Sequence, residues 1–248
     1  MWRIFFEFLY IISFLIPGKK NREWFRMEKC FGYHDKLKAI MQACPDINWK
    51  HMRLAKGGGS LAFIVGDTVF KVRKFHKHDN SEQKFTYEKM ITDAIAPVLP
   101  VQVPHIELIY AGEYLFYKTK FIHGRVLLNM PLKKIIKNNH KIGTQIGHIM
   151  YTLFNTDFKK LKSIQPADAN KNDCGLTHGD MCSNIIVNPE TMDVVGIIDW
   201  EYAGYSSLMR EFFGLFRVRR KMRLTDIAPI AMRTYWFLTH ADDIKKSK

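Results

Sequence analysis

Two stretches hold the side chains best suited to chemistry. The first is Thr177-His178-Gly179-Asp180-Met181-Cys182-Ser183-Asn184 and the second is Gly196-Ile197-Ile198-Asp199-Trp200-Glu201. Together they place acids and an amide on loops that bound a short apolar hairpin. Phosphoryl transfer needs such parts. One carboxylate accepts the proton of an attacking hydroxyl, while a second carboxylate and an amide oxygen hold magnesium on nucleotide phosphates. Positioning and charge neutralisation supply most of the remaining acceleration.

Residues elsewhere suit the same chemistry. Gly57-Gly58-Gly59-Ser60 lies between two predicted strands, where glycines let the backbone approach phosphates and offer N–H groups to them. Taken alone, such a run is more often a plain turn. Lys71 sits inside the apolar strand Thr68-Val69-Phe70-Lys71-Val72. It either faces a cleft and pairs phosphates or lies on a solvated strand edge. Glu88, on a predicted helix, is either a partner for Lys71 or an exposed acid beside Lys84 and Lys89, and Glu82 competes for the same partnership.

The elements that must position these groups follow from hydrophobic period and turn residues. Residues 34–44 read as a helix ending at Pro45. Arg53 to Lys56, Ser60 to Val65 and Thr68 to Arg73 read as short strands joined by the glycine turn and by Gly66-Asp67. A helix starts near Asn80-Ser81 and ends before Pro97, and Ile106 to Ala111 and Tyr114 to Ile122 form a hairpin turned at Gly112-Glu113. Beyond Gly124 the chain turns mostly helical, with Ile142, Ile146, Ile149, Met150 and Leu153 on one face. Ile185 to Val187 and Val194 to Ile198 form a last hairpin around Asn188-Pro189-Glu190-Thr191, and residues 206–240 read as two helices. The plan is α+β and two-lobed, with a small antiparallel N-terminal sheet, a mainly helical C-terminal lobe and a small-molecule cleft between them.

Composition bounds the possibilities. The chain has 248 residues, 47% of them hydrophobic and 25% charged, which excludes disordered, collagenous and disulfide-scaffold classes. The net charge is +14, which favours phosphate-bearing partners: nucleotides, nucleic acid or an anionic membrane. Cys30, Cys44, Cys174 and Cys182 form no CxxC pair, so zinc-ribbon and thioredoxin-type readings fall away. Cys182 reads as a small apolar filler, and His105, His123 and His140 as surface residues without metal-ligand spacing. No G-x-S-x-G elbow supports a serine hydrolase. No zinc-finger or helix-turn-helix signature supports nucleic-acid binding.

The His178-Gly179-Asp180 and Ile198-Asp199-Trp200-Glu201-Tyr202-Ala203-Gly204 runs resemble the catalytic loop and the metal-binding segment of the aminoglycoside phosphotransferase and choline kinase-like family. The resemblance implies a protein-kinase-like fold and transfer of the ATP γ-phosphate (GTP as an alternative) to a small-molecule hydroxyl, with Mg2+. It implies Asp180 as catalytic base, Asn184 and Asp199 as magnesium ligands, and His178 as a structural tie between the two motifs. Lys71, steadied by Glu88, would grip the phosphates under residues 57–60, and the backbone of Lys120 to Ile122 would bracket the base. Glu201 would line the acceptor side. One departure stands out. The kinase pattern Asp-x-x-x-x-Asn has a longer spacer. Here only Met181, Cys182 and Ser183 intervene, which either shifts Asn184 or lets Ser183 share the cation.

The expected organisation is an apolar segment and basic linker at 1–29, a nucleotide-binding lobe at 30–122, and a catalytic and acceptor-binding lobe at 123–248. The apolar start, stopped by Pro17-Gly18-Lys19-Lys20, is too short to span a bilayer, which takes about 20 residues. Residues 1–22 either lie on an anionic membrane surface or dock on the folded body. The expected location is cytoplasmic, peripheral to a membrane in the first case. From residue 205 onward ten Lys and Arg face four Asp and Glu, densest at Phe216 to Arg223. Such a surface favours a neutral or anionic acceptor over a polycation. The alternatives to a small-molecule kinase are a nucleotide-binding scaffold of the same fold and an interfacial lipid or glycolipid kinase.

Overall fold

A computed structural model describes residues 8–57, 59–74, 81–164, 174–214, 234 and 240. Gly58 and the whole basic stretch 216–223 lie outside the described residues. The chain divides into two compact units, residues 1–86 with 106–121, and residues 87–105 with 122–248.

The first unit is built on a five-stranded antiparallel sheet in the order β1-β2-β3-β5-β4. The strands are β1 (Arg53–Lys56), β2 (Ser60–Val65), β3 (Thr68–Arg73), β4 (Glu107–Ala111) and β5 (Tyr114–Lys120). Leu61, Phe63, Phe70, Val72 and Phe116 are fully buried on one face of the sheet, as period-two alternation dictates. Helical segments pack on that side. They are α1 (described over residues 8–12), α2 (Lys19–Phe25), a short π-helix over Arg26–Cys30, and α3 (Tyr33–Ala43). The basic segment after Pro17 is helical, and Met27 and Cys30 of it find burial on the sheet core. Lys36 of α3 is 1% exposed, and its Nζ donates to the carbonyls of Phe31 and Lys74.

The second unit begins part-way along α4 (Ser81–Ile95). It contains β6 (Arg125–Val126), α5 (Leu132–Lys137), α6 (Asn139–Asn155), β7 (Gly175–Thr177), β8 (Ile185–Val187), β9 (Val194–Ile197), β10 (Gly204–Ser206) and α7 (Leu208–Gly214). Helix α6 buries Ile142, Ile146, Ile149, Met150 and Leu153, the face that the 3.6-residue period marks. Two small sheets, β6-β8-β9 and β10-β7, carry the loops of interest. The long apolar core below them includes Ile91, Leu161, Leu176, Ile185, Ile197 and Trp200.

The sequence reading of residues 206–240 as two helices is met over Leu208–Gly214, and most of the remainder lies outside the described residues. Among the described residues, no helix is long and apolar enough to cross a membrane.

Candidate active site

The β8–β9 hairpin sets the site. Its antiparallel register pairs Ile185 with Ile197, so the residue before β8 and the residues after β9 emerge at the same end. Those residues are Asn184 on one side and Ile198-Asp199 on the other, and the Ile198 N–H donates to the Asn184 carbonyl at 3.1 Å. Two loops far apart in sequence are thereby held side by side.

The loop Asp180–Asn184 closes as a short 3-10 turn over Met181–Ser183. Met181 and Cys182 point into the core, which confirms Cys182 as a buried filler. Ser183 Oγ donates to Asp180 Oδ2 at 3.1 Å, so the hydroxyl that the short spacer offers to a cation is directed at the Asp180 carboxylate. Asn184 Nδ2 donates to the Asp180 carbonyl at 2.9 Å. With the amide nitrogen engaged there, Oδ1 is the atom Asn184 presents as an acceptor or ligand.

His178 is fully buried and sits between the two motifs. Its Nδ1 accepts from the Asp180 backbone N–H at 3.2 Å, so the ring proton is on Nε2, which donates to the Ile198 carbonyl at 3.0 Å. Burial pushes its pKa down from 6.5 to about 4, so the ring is neutral. The imidazole also packs against the Trp200 ring with centroids 4.4 Å apart. The structural tie expected of His178 is thus made by a neutral tautomer bonded to both loops.

Asp199 has φ 66° and ψ 61°, a left-handed backbone conformation that few non-glycine residues adopt. Such strain persists where the surroundings over-determine it, and here they do. The next residue, Trp200, is fully buried; its N–H donates to Glu88 Oε1 at 3.2 Å and its indole N–H to the Ile197 carbonyl at 3.0 Å. The Tyr87 hydroxyl donates to the Ala203 carbonyl at 2.6 Å. Helix α4 therefore pins the chain directly after Asp199, at Trp200 and again at Ala203.

Asn184 Oδ1 and the Asp199 carboxylate are hard oxygen donors on adjoining loops, which fits Mg2+ that takes its other ligands from phosphates and water. Among the described residues, no group of three or more His, Cys, Asp and Glu is arranged to hold a metal by itself.

Sequence reading missed Glu211 on α7. It is 5% exposed, and Oε2 accepts from the Gly179 N–H at 2.8 Å, while Oε1 is buried without a hydrogen-bond partner. Burial raises its pKa. Gly179 has φ 81°, and a Cβ there would drive into the Tyr202 carbonyl oxygen, so only glycine lets the Asp180 loop lie against the Trp200–Tyr202 turn. The available signal was a lone acid in the apolar run Leu208 to Gly214.

The remaining expected residues are distributed as follows. Glu88 is fully buried, which removes the exposed-acid reading. Its Trp200 bond is additional to any role toward Lys71. Glu82 accepts from the Tyr110 hydroxyl at 2.8 Å. Lys71 lies in β3, the middle strand of the first unit's sheet, between Ala62 and Tyr117, with Nζ 4.9 Å from the Tyr117 ring centroid, which removes the strand-edge reading. The β1–β2 turn is closed by a Gly57 N–H to Ser60 carbonyl bond of 3.0 Å and braced by Lys74 Nζ on the Gly57 carbonyl at 2.7 Å. The Gly59 carbonyl accepts from the Lys74 N–H at 3.0 Å. Lys120 is exposed at the end of β5, and Ile122 is 9% exposed against Gly196. Glu201 is half-buried in the 3-10 turn after Asp199, and His105, His123 and His140 are exposed as expected.

No family model matches the chain, and no curated protein sequence matches it. Solved structures do. The ADP-bound aminoglycoside phosphotransferase APH(2'')-Ib superposes with a TM-score of 0.61 at 12% identity, over 82% of each chain. The GDP complex of wild-type aminoglycoside 2'-phosphotransferase-IIIa gives a TM-score of 0.59 at 14% identity, over 86% of this chain and 93% of that one. Macrolide 2'-phosphotransferase from Brachybacterium faecium gives 0.58 at 13% identity, over 80% of this chain and 82% of that one. The chain has the two-lobed, kinase-like fold of the aminoglycoside and macrolide phosphotransferases.

Proposed function

We propose that this protein transfers the γ-phosphoryl group of a nucleoside triphosphate to a hydroxyl of a small molecule. The observation that carries the reading is the β8–β9 register, which holds the Asp180–Asn184 loop beside Asp199 with neutral His178 bonded to both. The solved structures of the same fold support it, being nucleotide-bound phosphotransferases in several cases.

Asp180 takes the proton of the acceptor hydroxyl through its carboxylate, which Ser183 orients from Oδ2. The acceptor oxygen bonds to the γ-phosphorus as the bond to the β–γ bridging oxygen breaks, releasing nucleoside diphosphate. Asn184 and Asp199 are the residues that would hold Mg2+, which would neutralise charge on the phosphate oxygens. Lys71 and the backbone of Gly57, Gly58, Gly59 and Ser60 engage the phosphates, with Glu88 paired to Lys71, and Lys120 to Ile122 bracket the base. ATP and GTP are both candidate donors, since the neighbours hold ADP or GDP.

The acceptor is neutral or anionic. A chain of net charge +14 repels a polycation. Some neighbours of the same fold are complexes with kanamycin, streptomycin or gentamicin, so the charge of this chain is what separates the two expectations. The short Asp180–Asn184 loop favours one rival, a nucleotide-binding scaffold.

Thermal-shift titrations with ATP and GTP, with and without magnesium, are followed by an acceptor screen. The expected result is magnesium-dependent stabilisation lost in Asp199→Asn, and turnover on neutral or anionic hydroxyl compounds lost in Asp180→Asn. Kanamycin turnover at a comparable rate would overturn the acceptor class. Nucleotide binding with no turnover on any acceptor would favour the scaffold.

A further inference from the structure

The N-terminal helical segment docks on the body with one face only. Leu9, Tyr10 and Phe25 pack against the sheet core of the first unit. Ser13 is fully buried; its Oγ donates to the Tyr10 carbonyl at 2.5 Å and accepts from Arg26 Nε at 2.7 Å. The Arg26 guanidinium lies 4.4 Å from the Tyr10 and Phe14 ring centroids. These contacts fix the segment in place.

The other face is large, apolar and open. Phe8 is 57% exposed, Ile11 65%, Phe14 57% and Leu15 81%. Their spacing of three, three and one is that of a helical stripe. Trp24 stands at 61% exposure on the following helix, and Lys19 and Lys20 are exposed between them. Burying a side chain of this size is worth about 1.5–3 kcal/mol, so leaving several in water needs an occupant to explain it.

We propose that this face seats on an anionic lipid surface, with Phe8, Ile11, Phe14 and Leu15 entering the acyl boundary and Lys19, Lys20 and Arg22 meeting the headgroups. Charge complementarity selects this occupant. Residues 8–30 carry Lys19, Lys20, Arg22, Arg26 and Lys29 against Glu23 and Glu28, and Glu28 is bonded to His34 at 2.6 Å. Each basic residue near an anionic leaflet contributes about 1 kcal/mol. Trp24 is amphipathic, with an apolar body for the boundary and an N–H for the headgroups. A second copy of the chain fits worse, because a two-fold contact on this face would oppose the Lys19–Arg22 patch to itself. The proposal does not depend on the phosphotransfer reading.

The full chain is mixed with vesicles of neutral phosphatidylcholine, or of phosphatidylcholine with phosphatidylglycerol, and recovered by flotation. A variant combining Phe8→Ser, Ile11→Ser and Leu15→Ser is compared with wild type, as is Lys19→Glu with Lys20→Glu. Circular dichroism and melting temperature confirm that both variants fold. Wild type should float with the anionic vesicles and weaken with added salt, the triple variant should lose at least tenfold in binding, and the charge reversal should lose the anionic preference. Equal flotation of wild type and triple variant would overturn the proposal, since net charge alone would then suffice. Absence of wild-type flotation would overturn it too, as would a concentration-dependent dimer in ultracentrifugation that the triple variant abolishes.

Discussion

Glu88 Oε1 accepts the backbone N–H of Trp200 at 3.2 Å, joining helix α4 to the residue that follows Asp199 across 112 positions of sequence. Both residues are fully buried. A carboxylate in that position acts on the backbone directly after Asp199, so displacement of α4 is transmitted to Asp199.

Glu88→Ala orphans the Trp200 N–H and opens a void. The cost is about 2 kcal/mol, or roughly 4–8 °C in melting temperature for a chain of this size. Glu88→Gln retains an acceptor and should lose less than half of that shift. Nucleotide affinity measured on the Gln variant then tests the proposed charge pairing of Glu88 with Lys71, which predicts weaker binding.

Asp180→Asn should lower kcat by about 10²–10⁴-fold while magnesium-dependent nucleotide binding persists. Asp199→Asn should abolish the nucleotide-induced thermal shift. For wild type at 100 times the dissociation constant the stabilisation is about 2.7 kcal/mol. Steady-state kinetics and calorimetric melting on the two variants separate the roles, and equal loss of binding in both would refute the assignment.

Glu211 positions the Asp180 loop through the Gly179 N–H. Glu211→Gln keeps an acceptor and should retain most of the turnover, whereas Glu211→Ala should lower kcat about tenfold or more with the nucleotide KM little changed, a tenfold loss being about 1.4 kcal/mol in the barrier. Gly179→Ala, which forces the backbone off the Tyr202 carbonyl, should be the more severe change. A parallel fall of kcat and binding in Glu211→Ala would indicate general unfolding instead of loop positioning.

His178 makes stability pH-dependent in a defined direction. Its folded pKa of about 4 lies below its ordinary value of 6.5, so between these the unfolded chain binds the extra proton. The contribution is complete above 6.5 and is lost as pH falls toward 4. Denaturant unfolding at about pH 7.5 and about pH 4.5 should differ by about 2–3 kcal/mol from this residue, and His178→Gln should show a correspondingly flatter profile.

Lys36 acts in the alkaline range. Burial lowers its pKa from 10.5 to about 7, so above neutrality the unfolded chain holds a proton that the folded chain releases. Stability from this residue therefore rises as pH increases between 7 and 10 and is withdrawn as pH falls through 7. Lys36→Met should flatten the wild-type rise, as read by unfolding at about pH 7 and about pH 9.5. An unchanged slope would mean that the amine is not desolvated in solution.

The motifs around Asp180 and Asp199, the strands on either side of the glycine turn, and the apolar face of α6 follow from the sequence because each is set by neighbours a few residues away. Turn residues and hydrophobic period act over that range. What pins the motifs does not. The partner of Glu88 lies 112 positions away and that of Glu211 lies 32 away, and nothing in either local run distinguishes a buried anchor from a solvated acid. The tautomer of His178 depends on a carbonyl at Ile198 that only the β8–β9 register brings within reach. Likewise, the apolar start divides into a docked face and an open face because the sheet core has room for Leu9 and Tyr10 but leaves Phe8, Ile11 and Leu15 in solvent. Local chemistry chose the side chains, and long-range burial decided which of them became supports, which became the site and which were left as surface.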